Sequence, residues 1–290
     1  MIDEIISNNA SNKSYDKEAY KLKKKEQKDK AYKIIDEALE ELKNNPSFFK
    51  KYMDVQSRFD MYTPRNALLI TKQMPEAKQL KTRNDWRELK VSFKTLKPKT
   101  MIIIEPGETY INKNGEEITP INAKEVIDIS ETNSKPNIKS YDKKFILQAL
   151  LHECPVTIKA VDSLENNKVC EWNKEDNVLY ICRNDDADLI IKSVATELAK
   201  VGFVENNHDI DIDIDNEKAD CVSYMICKKY GIDASINSID NLCSKYSNME
   251  NPDIANDLTS MKEVLLDINN RMSNYLDEKR REVTNKEQER

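Results

Sequence analysis

Prolines divide the first half of the chain into short elements, and this constrains the fold more than any other feature of the sequence. Pro46 follows two asparagines, Pro64 stands where a helix can begin, and Pro75 stands where a helix must end. Between them, apolar residues recur at spacings of three and four, as on one face of a helix. The apolar run Met101–Ile104 has the length and residue types of a buried strand and is closed by Pro106-Gly107. The segment therefore predicts short helices followed by a strand.

The flanking sequence adds a long helix before this segment and a small antiparallel sheet after it. The charged stretch 16–43 is clearly amphipathic at helical period in its second half. Asn84 or Asp85 is expected to cap a short helical turn. Asn114-Gly115 lies between two short strand-like runs, which is a strong hairpin signal, and residues 126–129 predict a further strand. Helices followed by a small antiparallel sheet indicate an α+β pattern.

The second half reads as a mainly helical domain with a small sheet. It follows a stretch rich in turn formers, which is typical of a linker. Strands are expected at 156–160 and 178–181, with a polar loop between them, and an acidic loop is expected at 205–217. The α+β fold class thus covers the whole chain. The expected organisation is a disordered tail (1–15), a first domain (16–130), a linker (131–141), a second domain (142–277) and a charged tail (278–290).

The chain is acidic overall, but residues 78–99 form a locally basic segment. Its 290 residues carry a formal net charge of −6, which argues against a protein that coats nucleic acid through bulk charge. A locally basic segment in such a chain is an electrostatic footprint for a polyanion, and aromatic rings beside it could stack on unpaired bases. The alternative is that the rings belong to the core and the lysines form a solvated face. The basic residues are Lys78, Lys81, Arg83, Arg87, Lys90, Lys94, Lys97 and Lys99; the acids among them are Asp85 and Glu88, and the nearby rings are Tyr62, Trp86 and Phe93.

Composition disfavours several functional classes. The chain has only 4 glycines and no glycine-rich phosphate-binding motif. No stretch approaches the length of an apolar transmembrane helix, and the N-terminus has no apolar signal region, so a cytoplasmic protein with no membrane partner is expected. None of the 6 cysteines forms a CxxC pair, so reduced thiols are expected.

A set of residues around the basic segment occurs in a recognisable order and spacing: Arg58-Phe59, Tyr62, Asn66-Ala67-Leu68-Leu69-Ile70, Gln73, Pro75, Trp86, Lys94 and Ile102–Pro106. In these positions the chain resembles the N-terminal single-stranded-DNA-binding domain of ArdC-type antirestriction proteins and the related LtrC-like proteins of mobile elements. The resemblance covers residues 45–130 well and continues more weakly to about residue 235.

The resemblance implies a single-stranded-DNA-binding surface in the first domain. Basic side chains would neutralise phosphates, and Tyr62 and Trp86 would stack on bases. For Asn66 and Gln73 a structural role, hydrogen-bonding their helix to the following loop, is an equal alternative, because buried amides usually bond backbone. The residues expected to bind DNA are Arg58, Tyr62, Asn66, Gln73, Trp86, Arg87, Lys94, Lys97 and Lys99.

In the same family the second domain resembles a zinc-metallopeptidase core, whose HExxH helix and following acid hold the metal. The corresponding segment here is Thr196-Glu197-Leu198-Ala199-Lys200, in which Thr196 and Lys200 replace both histidines, and the third-ligand position falls on Asp220. A lysine ammonium has no lone pair and repels a cation. The resemblance therefore implies an inactive peptidase-like domain with no metal and no cofactor. We expect Lys200 to lie within salt-bridge distance of Glu197 or Asp220, in place of a cation.

Neither an alternative histidine pair nor the acidic stretch offers a convincing metal site. His152 and His208 are the only histidines and are not spaced as i and i+4. The aspartates follow the ligand spacing of an EF-hand loop, but Ile214 replaces the glycine at position six and an aspartate replaces the final glutamate. A solvated acidic loop, with alternating isoleucines as in a strand, is the default. The aspartates are Asp209, Asp211, Asp213, Asp215 and Asp220.

Three functions follow from these features. The leading hypothesis is an accessory protein of a mobile element that binds single-stranded DNA; protection of incoming DNA during conjugation is implied by the resemblance alone. The second is a protein-interaction module whose inactive peptidase cleft binds a host or mobile-element protein. The third is a hydrolase with an unusual metal site built from Glu197, Asp220 and the aspartates of residues 209–215.

Overall fold

The computed structural model describes residues 17–137, 139–183, 186–206 and 212–288, and its first half begins with three helices separated where the prolines stand. Helix α1 spans Lys17–Asn44, α2 spans Pro46–Arg58 and α3 spans Pro64–Gln73. Both prolines lie in the first turn, where a missing N–H costs nothing, and side chains of the residues before them cap the helices. These helix predictions are confirmed. The tail predicted at 1–15 lies outside the described residues.

A three-stranded antiparallel sheet follows these helices, as expected. Its order is β1 (Leu80–Lys81), β5 (Ile121–Asp128) and β2 (Met101–Pro106), with β5 in the centre. Strands β3 (Tyr110–Ile111) and β4 (Glu117–Ile118) form a separate antiparallel hairpin. Its turn contains Gly115 at a φ of 83°, a conformation that favours glycine, so the Asn-Gly signal identified the turn correctly.

The short helix α4 (Arg83–Glu88) begins earlier than predicted. Its N-cap is Thr82, not Asn84 or Asp85. The Thr82 hydroxyl accepts a hydrogen bond from the Asp85 N–H at 3.1 Å, and the Asp85 carboxylate accepts one from the Thr82 N–H at 3.0 Å. This capping box lowers the pKa of Asp85, chiefly through its hydrogen bonds with Thr82.

The second half combines helices with a mixed sheet. Its sheet has the order β6 (Thr157–Val161), β8 (Val178–Cys182) and β7 (Cys170–Asn173), with β8 parallel to β6 and antiparallel to β7. The strands expected at 156–160 and 178–181 are confirmed as β6 and β8, whereas the segment assigned to a polar loop contains the additional strand β7. The elements are α5 (Lys143–Leu151), β6 (Thr157–Val161), β7 (Cys170–Asn173), β8 (Val178–Cys182), α6 (Ala187–Glu205), α7 (Ile212–Tyr230), α8 (Ile239–Tyr246) and α9 (Asn251–Gln288).

One further prediction for the second half, the acidic loop at 205–217, was wrong for residues 212–217. Because α7 begins at Ile212, residues 212–217 are helical and form neither a loop nor a strand. Asp213, Asp215 and Asp220 therefore lie in one helix and not in a loop, so the loop backbone of an EF-hand site is absent there. Asp209 and Asp211 lie outside the described residues. Helix α9 continues to Gln288, so the predicted charged tail is helical up to that point.

One continuous hydrophobic core joins the two halves. Helix α2 packs against α7 and α8, and α9 packs against α1 and α3. The domain boundaries inferred from the sequence stay a prediction. In the part of the chain that the structure describes, no helix is long and apolar enough to cross a membrane.

Candidate functional site

Two amides expected at the DNA surface instead close the free edge of β2. Asn66 and Gln73 lie two turns apart on α3. The Asn66 amide donates to the Ile104 carbonyl at 2.7 Å and accepts from the Ile104 N–H at 2.8 Å. Gln73 makes the same pair of bonds with Ile102, at 2.8 and 2.9 Å. Each amide reproduces the donor and acceptor of a neighbouring strand, so the structural alternative holds, with β2 rather than a loop as the partner.

Trp86 is part of the core and cannot stack on a base. Its side chain is only 2% exposed and packs with Ile127 and Ile129. Its indole N–H donates to the Ile127 carbonyl at 2.9 Å, which satisfies the only polar group of the ring. The stacking role predicted for Trp86 was therefore wrong.

Arg58 fastens the loop that follows α3. Its guanidinium donates to the carbonyl of Ala77 at 3.0 Å and to that of Pro75. Burial lowers the pKa of Arg58, and the nearby carboxylate of Asp54 partly offsets this. Because its bonds are directed at protein carbonyls, this arrangement does not support the prediction that Arg58 neutralises a phosphate.

Tyr62 keeps an accessible position and lines a groove of about 270 Å³. One face of its ring stacks on Phe59, with centroids 5.5 Å apart and planes 14° apart. Burial raises the pKa of Tyr62, and the charge of Lys124 partly lowers it. Lys124 pairs with Glu105 across the groove at 2.9 Å, and Lys81 lies on its wall. A half-buried ring supported from behind is suited to stacking, as predicted for Tyr62.

The other basic candidates lie in one stretch of the chain, residues 87–99, which we call the basic loop. It carries five cations against a single acid, Glu88, and all five are exposed. Lys94 donates to the Ser130 carbonyl at 2.7 Å. Within the described ranges, the other four form no ion pair, so their charge is available to a ligand. The five cations are Arg87, Lys90, Lys94, Lys97 and Lys99.

The backbone of the basic loop is anchored to residues 129–133. The Lys94 N–H donates to the Glu131 carbonyl at 2.9 Å, and the Lys99 N–H donates to the Glu131 carboxylate at 3.1 Å. Between these anchors Leu96 is 96% exposed. Sequence reasoning missed this residue, because a leucine is normally assigned to a core; its only signal was its position among three lysines.

In the second half, helices α6 and α7 carry the four positions of the degenerate metal site. The Lys200 ammonium lies 2.7 Å from one carboxylate oxygen of Glu197. The other oxygen accepts the backbone N–H of Trp172 on β7 at 3.1 Å. The expected salt bridge of Lys200 is thus present, with Glu197 as its partner. Asp220 instead accepts a hydrogen bond from the Ser238 hydroxyl at 2.8 Å, and Thr196 donates to the Lys192 carbonyl at 3.1 Å.

This donor set does not fit a divalent cation. Both oxygens of Glu197 are engaged, the Thr196 hydroxyl bonds its own helix, and the Lys200 ammonium would repel a metal. Burial and the charge of Glu197 raise the pKa of Cys170 to about 12, so this neighbouring thiol stays protonated and is a poor ligand. Among the described residues, no group of three or more His, Cys, Asp or Glu side chains is placed to hold a metal ion.

The comparisons with known proteins point to one fold. No protein-family model matches the chain, and no curated protein matches it in sequence. The crystal structure of the metal-free antirestriction protein ArdC from the R388 plasmid matches with a TM-score of 0.51 and 12% identity, over 73% of this chain and 86% of that chain. Its Mn(II)-bound structure matches with a TM-score of 0.56 and 10% identity, over 84% of this chain and 98% of that chain.

The chain has an ArdC-like fold. Because the match covers 84% of the residues, the ArdC-like fold extends over parts of both halves. At this sequence identity the similarity shows the fold alone, since one fold can carry different functions.

Proposed function

We propose that the chain binds single-stranded DNA through the basic loop and the Tyr62 groove, as an antirestriction-type accessory protein of a mobile element. The basic loop carries the proposal, since it presents five exposed cations against one acid on an anchored backbone. Lysine and arginine bind phosphates chiefly by charge, and an aromatic ring adds stacking on unpaired bases. The antirestriction role rests on the ArdC-like fold, because the neighbouring structures are of an antirestriction protein from a plasmid.

The test is the salt dependence of oligonucleotide binding by the full chain. Fluorescence anisotropy with a labelled single strand should give affinities that fall steeply as salt rises, because bound phosphates release counterions. Lys97→Ala and Lys99→Ala should each lower the slope of log affinity against log salt by about 0.7. Lys174→Ala, which removes an exposed lysine in the second half, is the matched control and should leave the slope unchanged. Preference for duplex over single strand, or no salt slope, would contradict the proposal.

For the second half we propose an inactive peptidase-like domain in which the Glu197–Lys200 pair replaces a metal structurally. The engaged carboxylate and the ammonium beside it support this assignment. Elemental analysis of purified protein should find no stoichiometric zinc or manganese, and added zinc should not raise its melting temperature. Tight stoichiometric zinc would overturn the assignment and favour the hydrolase hypothesis. Binding of a host protein by this domain stays a prediction.

A further inference from the structure

Leu96 is exposed to solvent in a short segment, residues 95–97, whose two ends are hydrogen-bonded to the rest of the protein. Its 96% exposure is higher than that of any other large apolar side chain in the described ranges. Lys94 and Lys99 are both bonded to Glu131, and Pro98 between them is buried. These contacts fix both ends of the segment and leave only residues 95–97 between them. The leucine is therefore presented by a supported backbone and not by a long free loop.

The surroundings of Leu96 suit an apolar contact made between charges. Lys94, Lys97 and Lys99 are exposed within three residues of it. On a single strand, each nucleotide carries a phosphate and an unpaired base. A strand whose phosphates contact these lysines therefore also places bases beside the leucine. In a duplex the apolar base faces are covered by stacking, and a three-residue tip reaches only their edges.

We infer that Leu96 packs against an unpaired base and makes the basic loop selective for single strands over duplexes. This inference rests on the proposed DNA-binding function and assigns its specificity to one side chain. Lysines supply affinity for any nucleic acid, whereas the leucine can reach a base face without the cost of unstacking a duplex only where a base is unpaired. The Tyr62 groove is bordered by Thr82 and Asp85 of the cap that begins α4, and the basic loop begins before that helix ends. The Tyr62 groove and the start of the basic loop therefore both adjoin α4.

An anionic membrane surface would also accept lysines around a leucine. The observations favour nucleic acid, because the groove beside α4 offers an aromatic ring stacked on Phe59, and such a ring suits an unpaired base. The membrane reading is tested in the same experiment.

The test compares Leu96→Ala with Leu189→Ala, the same change at an exposed leucine of the second half. Both side chains are exposed, so both variants should fold like the parent protein. With labelled oligothymidine, Leu96→Ala should weaken binding about tenfold with an unchanged salt slope, because the lost contact carries no charge. Binding to a duplex should be unchanged, and Leu189→Ala should match the parent protein throughout. Leu96→Trp should retain or strengthen single-strand binding.

The possible failures are distinguishable. If the parent protein binds the oligonucleotide and Leu96→Ala binds it equally well, the role of Leu96 is refuted while the proposed function stands. Equal weakening of single-strand and duplex binding refutes the selectivity. If the parent protein binds no oligonucleotide, the proposed function fails and the inference with it. Binding to phosphatidylserine vesicles that is lost in Leu96→Ala, without oligonucleotide binding, would assign the surface to membranes instead.

Discussion

Glu197 has both carboxylate oxygens engaged, and this limits what the residue can do. One oxygen pairs with Lys200 on the same helix, and the other accepts the N–H of Trp172 from the edge strand β7. The side chain is only 12% exposed. One oxygen is thus directed at the Lys200 ammonium and the other at the Trp172 N–H. The residue ties α6 to the sheet, and Lys200 balances its charge.

Removal of Lys200 should therefore destabilise the protein. Lys200→Met leaves the Glu197 carboxylate without a cation in a mostly buried position. We expect a loss of about 1–3 kcal/mol in the free energy of unfolding, less than for a fully buried pair because solvent reaches the ammonium. Urea unfolding followed by circular dichroism measures it.

A second substitution separates lost charge pairing from lost packing. Glu197→Gln removes the charge but keeps an oxygen that can accept the Trp172 N–H. Added to Lys200→Met, it should restore much of the lost stability. If Lys200→Met is as stable as the parent protein, or if the double variant is no better than the single one, the pair has no structural role.

At the scale of elements, α3 acts as the neighbour that β2 would otherwise lack. β2 lies at an edge of its sheet, with β5 on one side only. Asn66 and Gln73 supply donors and acceptors to Ile104 and Ile102 on the other side. An unpaired strand edge invites pairing with another chain, and buried unpaired peptide groups cost free energy. The two amides cover the strand edge and satisfy its peptide groups, and they also dock α3 on β2.

Asn66→Ala should be more destabilising than Gln73→Ala. Asn66 is 6% exposed, so its loss leaves a buried N–H and carbonyl of Ile104 unsatisfied, at a cost of about 2–4 kcal/mol. Gln73 is half-buried, so water can replace its amide, and we expect a loss of about 1 kcal/mol. Thermal and urea unfolding measure the difference, with the exposed neighbour Arg65→Ala as control. Equal stability of the three variants would contradict the edge-closing role.

At the scale of the whole molecule, the two halves share more than an apolar core. Asp60, in the turn just after α2, accepts from Lys229 at 2.6 Å and from Asn269 at 3.2 Å. Asp54 on α2 accepts from the Tyr224 hydroxyl at 2.7 Å. Burial and the bond to Asp54 raise the pKa of Tyr224, so this donor stays protonated in neutral solution. These polar contacts fix the docking of α2 on α7 and α9.

Cleavage of the chain between the halves should therefore leave them bound to each other. Lys139 lies exposed in the 131–141 stretch, and we expect trypsin to cut there first among internal sites. The two fragments should coelute on size exclusion because their shared core stays buried. Asp60→Ala should weaken that association, since it leaves Lys229 and Asn269 without an acceptor. First cleavage within 46–130 would contradict the predicted boundary, and separation of the fragments without denaturant would contradict the shared core.

The sequence by itself determined those elements whose causes are local. Pro46 and Pro64 begin α2 and α3, and Asn114-Gly115 makes a hairpin turn, because proline and glycine act on their own φ and N–H. The apolar run at 101–104 identified β2 because a short apolar run bounded by turn residues is typical of a buried strand. The sequence also predicts that the lysines of the basic loop are exposed, because a dense run of charged residues is rarely buried.

Only the tertiary structure decided which polar and aromatic residues are free to bind. Trp86 is in the core because β5, some forty residues later in the chain, places the Ile127 carbonyl against its indole N–H. Asn66 and Gln73 are engaged because β2 ends its sheet beside α3. Leu96 lies between Lys94 and Lys99, whose backbone N–H groups both donate to Glu131, and this holds the segment that carries it. Each outcome depends on a partner distant in sequence or on the packing around the side chain, and residue type and spacing do not specify either.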